Sequence, residues 1–345
     1  MRGIRRWVTG RVSGAAVECA PWLAAGMIDG IETALAWAGP RLPVLSRIVA
    51  DNMRAVGLYT PDAHREYFRR MATHVAGWMH FFRLARAPLP GPWRGLSADL
   101  ARIAADRVLL DPSVGVLREA ASGRRGVIVM GMHVGDPPMC FARMSQEIPL
   151  TVLARHSKDP HRQRIKERWW RASGMGYVAL PSHARQRGSR LAKMAEVLQE
   201  GRVMVITPDL ARKREEGRAV RFFGREIHLP SGAAVLSVMT GAPLLLASVV
   251  PAGRAFRLTI RGPFAGTVKP GAPGWEEAAI AERLQWFADG LEAFLRAHAP
   301  LWFLWVDKRW TRVFQGDPRY VRALDGAEQG GVETGPPHGG SQRRC

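Results

Sequence analysis

A histidine that follows a β-branched run and precedes glycine, aspartate and two prolines is where this chain could first do acid–base chemistry. The stretch runs Gly126-Val127-Ile128-Val129-Met130-Gly131-Met132-His133-Val134-Gly135-Asp136-Pro137-Pro138. It reads as a buried strand handing over to a helix. His133 then lies at the strand's carboxyl end, the edge where open α/β sheets bind ligands. An imidazole placed there can take a proton from a hydroxyl or an amine. Asp136 is close enough in sequence to partner the ring, and an aspartate directly before Pro-Pro is equally a helix N-cap. Other polar residues fall at strand ends. Arg155 closes Leu153-Ala154-Arg155, Asp209 follows Ile206-Thr207-Pro208, and Arg212 comes three residues later. Ser231-Gly232 opens a helix whose free amides could receive a phosphate or a thioester oxygen. Each has an ordinary reading too: solvated arginines, Asp209 as a turn cap, Ser231 as an N-cap.

The elements that must position these residues begin near residue 106, where short apolar runs alternate with helical stretches. That is the pattern of an α/β fold with a mostly parallel central sheet flanked by helices. Strands are expected at 108–110, 126–132, 150–154, 177–180, 203–207, 243–250 and 256–261, and helices at 112–121, 137–146, 160–172, 185–199, 231–240 and 275–298. The alternation of Phe256, Leu258 and Ile260 suggests a half-buried antiparallel edge strand.

An N-terminal helical segment precedes the sheet. Thr60-Pro61-Asp62 supplies an N-cap, a proline at the first helical position and an acid in the first turn. Tyr67, Met71, Val75, Trp78, Met79 and Phe82 then mark one apolar face. Arg65, Arg69, Arg70, His74 and His80 are expected on a solvated basic face opposite, and Pro88, Pro90 and Pro92 mark a boundary. Near the start, Arg2, Arg5 and Arg6 precede an apolar stretch that Arg11, Glu18, Asp29 and Glu32 interrupt. Its longest uncharged run, from Cys19 to Ile28, has ten residues, about half of the ~20 that a spanning helix needs. It fits amphipathic helices lying on a bilayer or packed on the protein. The expected organisation is membrane-associating helices over 1–40, a helical segment over 41–98, an α/β domain over 99–316 and a disordered tail over 317–345, which is glycine-rich with few apolar residues.

The 345 residues can bury a large core, and 50 Lys plus Arg against 30 Asp plus Glu give a formal charge of +20. So basic a chain favours a polyanionic partner. No RNA-binding signature, zinc-finger spacing or basic heptad is present, which points to an anionic membrane surface and away from nucleic acid. Cys19, Cys140 and Cys345 are widely spaced, fitting a reducing compartment and no metal site.

Ordered blocks of residues resemble the bacterial lipid A biosynthesis acyltransferases, the late lauroyl and myristoyl transferases, and their relatives that acylate phosphatidylinositol mannosides. Asp51-Asn52-Met53-Arg54 and Tyr59-Thr60-Pro61 resemble the family's helical lead-in. Gly131-Met132-His133-Val134-Gly135 resembles the stretch around its catalytic histidine, and Arg155 with Asp159-Pro160 resembles the next block. Pro208-Asp209, Arg221-Phe222-Phe223-Gly224-Arg225, Leu229-Pro230-Ser231-Gly232 and Thr240-Gly241-Ala242-Pro243 follow in family order. The run from Pro300 to Trp310, Pro-Leu-Trp-Phe-Leu-Trp-Val-Asp-Lys-Arg-Trp, resembles the closing block. Two positions depart: Pro138 stands where the family has an Asp or Glu five residues after the histidine, and Asp307 stands where it usually has a histidine.

The resemblance implies a glycerolphosphate acyltransferase-like fold and transfer of a fatty acyl group from an acyl-carrier-protein or coenzyme A thioester to a hydroxyl or amine of a lipid or glycolipid. His133 would be the general base, with Asp136 in the role of the missing acid. Arg155, Asp209, Arg212, Ser231 and Gly232 would bind substrate. No cofactor is implied beyond the thioester co-substrate, and the place of action would be the cytoplasmic face of the bacterial inner membrane. Two other readings stay open on the sequence: a non-catalytic homologue that binds acyl chains or carrier protein, favoured by Pro138, and an enzyme that acylates a small molecule.

Overall fold

The computed structural model describes residues 22–84, 98–123, 125–155, 175–180, 187–253, 255–271 and 273–322, with Cys19 and isolated positions between 160 and 170. The arginine-rich first residues, the proline boundary at 88–92, most of the helix expected at 160–172 and the tail beyond Arg322 lie outside the described residues.

The chain enters through α1 (Ala25–Ala38), α2 (Pro43–Arg54), α3 (Pro61–Leu84) and α4 (Ala98–Arg107). Thr60 caps α3 as its type predicts, its Oγ1 accepting from the Ala63 amide at 3.0 Å. The α/β body follows as β1 (Val108–Leu110), α5 (Val114–Ala121), β2 (Val127–Met130), α6 (Pro137–Ser145), β3 (Leu150–Arg155), β4 (Gly176–Leu180), α7 (Arg187–Gln199) and β5 (Val203–Ile206). After β6 (Arg218–Phe222) and β7 (Arg225–Leu229) come α8 (Gly232–Thr240), β8 (Leu244–Ala252), β9 (Ala255–Arg261), α9 (Trp275–His298), α10 (Lys308–Phe314) and β10 (Val321–Arg322). Apolar periodicity placed the strands of the large sheet to within two residues.

Seven strands form that sheet in the order β1-β9-β8-β2-β5-β3-β4. All neighbours are parallel except β8 with β9. Strand β9 is antiparallel as its alternation suggested, but it is not the edge: β1 pairs along its outer side. The pattern could not show this, because alternation reports which faces are buried and says nothing of the strand's neighbours. A second sheet, β10-β7-β6, is built on the hairpin at Phe223-Gly224, where both residues have positive φ. This hairpin was not anticipated; its charged, short strands carry little apolar signal. Strand β10 also keeps the chain ordered past Pro318, where disorder was expected to have begun.

The crossovers decide where a site can form. From β2 the chain crosses over β5 to β3 by way of α6, whereas from β5 it moves the opposite way, over β2 to β8, by way of α8. Right-handed crossovers running in opposite directions put α6 and α8 on opposite faces of the sheet. The carboxyl ends of the adjacent strands β2 and β5 therefore open onto a crevice where the chain diverges, the usual ligand site of such sheets.

Candidate active site

His133 leaves the end of β2 and Asp209 leaves the end of β5, so the topology alone brings them together across the crevice. Asp209 Oδ1 lies 2.6 Å from His133 Nδ1, and Oδ2 accepts from the His133 amide at 2.8 Å. The indole Nε1 of Trp302 donates to Oδ2 at 3.0 Å, and that of Trp310 donates to the Asp209 carbonyl at 2.9 Å. Asp209 has no exposed surface, while about a third of the His133 side chain is open.

Burial alone would push the Asp209 pKa up, but the His133 charge and the donors around the carboxylate outweigh it and hold the group below the ordinary range. Burial likewise works against the charged form of His133. The Asp209 charge and hydrogen bond overcome it, so the imidazole titrates above its ordinary value. A ring bonded to a carboxylate through Nδ1 carries its proton there, leaving Nε2 as the free base.

The expected partner, Asp136, is engaged elsewhere. Its Oδ2 accepts from Arg107 Nη1 at 3.1 Å, and Oδ1 is buried without a partner. Three residues after His133 the chain has turned into α6 and carried this side chain away from the crevice, toward α3 and α4. Its carboxylate is packed so tightly on Gly77 that a Cβ there would fall 2.4 Å from Oδ1. Desolvation pushes its pKa up to about 6, against the pull of Arg107. As N-cap of α6 it makes no side-chain capping bond. Pro138, in the family's acid position, is buried in the first turn of that helix. Between His133 and Asp136, Gly135 has φ +69°, and a Cβ there would meet Val249 at 2.7 Å, so the turn after His133 needs glycine twice over.

His74 was expected on a solvated face. Instead it packs on Phe303, ring centroids 3.7 Å apart, with Nδ1 buried and unpaired. Burial, with the nearby charge of His133, pushes its pKa down to about 3, so it is a neutral neighbour of the crevice. Its helical spacing could not reveal this, because what covers it arrives more than 200 residues later.

That cover is the closing block. Trp302 forms an antiparallel bridge with Val134, and the Phe303 amide donates to the His133 carbonyl at 3.0 Å. The segment is gripped from several directions: Tyr67 Oη donates to the Phe303 carbonyl, Asn52 Nδ2 to the Trp305 carbonyl, and Arg225 to the carbonyls of Val313 and Phe314. Asp307 caps α10 and holds Arg309 by amide and guanidinium.

The remaining candidates are dispersed. Arg155 ends β3, paired in the sheet with Leu180. The Arg212 amide is tied to the His228 carbonyl beside the small sheet. Ser231 and Gly232 begin α8, and Ser231 makes no capping bond. Among the described residues no group of three or more metal-ligating side chains occurs. A narrow cavity of about 30 Å³ is lined by Met132 and Val134, the chain neighbours of His133, with Gly131, Cys140, Phe141 and Val249 among others; the imidazole itself is not part of its wall. At ~10–15 Å³ per water-sized group it holds a few such groups, and nearly all of its wall is apolar.

The dyad, the apolar cavity and the closing block meet one comparison with known proteins. A family model for the bacterial lipid A biosynthesis acyltransferases matches residues 115–312. The chain belongs to that family. No curated protein matches it. Membership in the lipid A biosynthesis acyltransferase family makes the chain an acyltransferase, with acyl transfer to a lipid acceptor as its general chemistry. The matched span contains His133, Asp209, Trp302 and Trp310, so the hydrogen bonds to Asp209 lie within the part that defines the family, whereas His74 precedes it. No described helix of this acyltransferase is long and apolar enough to cross a membrane.

Proposed function

We propose that the protein moves a fatty acyl group from an acyl-carrier-protein or coenzyme A thioester to a hydroxyl or amine of a lipid or glycolipid, with His133 as general base and Asp209 as its positioning acid. His133 Nε2 takes the acceptor's proton as the acceptor oxygen or nitrogen attacks the thioester carbonyl. The tetrahedral oxyanion collapses, expelling the thiolate, which recovers the proton from Nε2. No covalent enzyme intermediate and no cofactor other than the thioester co-substrate enter these steps. The observation that carries the reading is the 2.6 Å contact between His133 Nδ1 and the buried Asp209 carboxylate. It removes the reason to favour a purely binding homologue, since an acid reaches the ring although position 138 holds proline.

The acyl chain would start in the cavity beside Met132 and Val134. Arg155 at the end of β3, Arg212 after β5 and the α8 start at Ser231-Gly232 are the candidates to meet the phosphate of the acceptor or of the pantetheine arm. Membrane docking is supported by the outer surface of the first helices. α1 buries Ile28 against Ala76 and Met79 of α3, while Trp22, Met27, Trp37, Leu42 and Val44 stay exposed beside Arg41 and Arg47. An apolar patch with basic neighbours suits an anionic bilayer, with the remaining positive charge suiting an acidic carrier protein. On this reading the chain acts at the cytoplasmic face of the inner membrane, residues 1–40 serving attachment and 99–316 catalysis.

The test is thioester consumption with a lipid acceptor present, comparing wild type with His133→Ala. Loss of roughly 10²–10⁴-fold is expected. An equal rate in both proteins, or none in either across several donors, overturns the proposal.

A further inference from the structure

The Asp209 carboxylate receives one donor more than a two-residue dyad supplies. Trp302 brings it, from a side chain with no exposed surface. The same short stretch also bridges to Val134 and bonds the His133 carbonyl. It therefore holds the main chain beside the histidine and the side of its acid remote from the ring. Trp310, equally buried and edge-on to Trp302, donates to the Asp209 main-chain carbonyl instead of the carboxylate.

We propose that Trp302 is a positioning residue for His133 that acts through Asp209, its indole N–H keeping Oδ2 turned away so that Oδ1 stays aimed at Nδ1. A donor on a buried carboxylate also draws off part of the charge that the ring would otherwise face. Removing it leaves the carboxylate more basic, and the imidazole then keeps its second proton to higher pH. Among the described residues, the titratable groups facing His133 are Asp209 after β5, Asp307 and Arg309 in the closing block, and His74 on α3. Asp307 and Arg309 are bonded to each other and His74 is neutral, so Asp209 with its indole donor dominates the titration.

This inference rests on the reading of His133 as the base, but its test reads the ring itself and not turnover. The imidazole nitrogens of the full chain are followed by ¹H–¹⁵N NMR from pH 5 to 9, with His133 identified by the signal lost in His133→Gln. Trp302→Phe should raise the His133 midpoint by about one pH unit, as one lost hydrogen bond to a charged group implies. Trp310→Phe, which costs similar packing but spares the carboxylate, should leave it in place. In wild-type protein one indole N–H signal should titrate with the His133 midpoint and lose that step in His133→Gln, which keeps the proposal testable should Trp302→Phe not fold. An unmoved midpoint in folded Trp302→Phe, an equal shift in Trp310→Phe, or no indole titrating with the ring overturns it. Coupling without acyl transfer would refute the enzymatic reading and leave this inference standing.

Discussion

One carboxylate of Asp209 binds His133 twice, Oδ1 at the ring and Oδ2 at the amide, so the orientation of the imidazole and the path of its main chain are set by the same group. Substituting the acid should therefore cost more than an electrostatic interaction alone. Asp209→Asn offers the ring an amide that can donate as well as accept and no longer enforces the Nδ1–H tautomer. A fall in kcat of roughly 10³–10⁴-fold is expected. Asp136→Asn, outside the crevice, should change kcat by less than about threefold. Steady-state thioester assays decide it, and the reverse ranking would return the acid role to Asp136.

The pH profile follows from the direction of the His133 shift. Only the unprotonated ring can act as base, and Asp209 holds its pKa above 6.5. kcat/KM should climb with pH through a midpoint above that value, and the midpoint should drop in residual Asp209→Asn activity. A rate already flat at pH 6 contradicts the assignment.

Asp136 makes a separate stability prediction. Its folded pKa, about 6, is raised above 3.8, so between these values the native state binds more protons than the unfolded one. Stability contributed by the protonated acid is full below about pH 4 and lost as pH rises through 6, a difference of about 3 kcal/mol. Relative to wild type, Asp136→Asn should gain on the order of 2–3 kcal/mol in urea-unfolding free energy between pH 4.5 and 7. A constant offset across that range would show that burial does not control this carboxylate.

The outer face of the first helices should govern lipid attachment. Trp37 and Val44 are 65% and 63% exposed, and replacing either by Ser should weaken binding to phosphatidylglycerol vesicles by about tenfold. Binding should also weaken with added salt. Vesicle co-sedimentation that is unaltered in the double variant removes this face from any membrane role.

Much of the α/β architecture follows from local chemistry. Val127 to Met130 and Val203 to Ile206 are short β-branched or unbranched apolar runs between turn residues, and such runs form buried strands whatever follows them. His133 and Asp209 could each be placed at a strand end for the same reason, and Thr60 could be placed as a cap. What the sequence left undecided is adjacency. Asp136 is three residues from His133 and Asp209 seventy-six, yet α6 turns the nearer acid onto Arg107, while pairing of β2 with β5 brings the distant one within 2.6 Å. Likewise His74 belongs to a basic stripe by spacing, and only Phe303, arriving from the closing block, makes it a buried neutral ring. Periodicity along one element reports which of its faces is covered; which residue covers it is fixed by strand order and crossover direction, and these are properties of the whole chain.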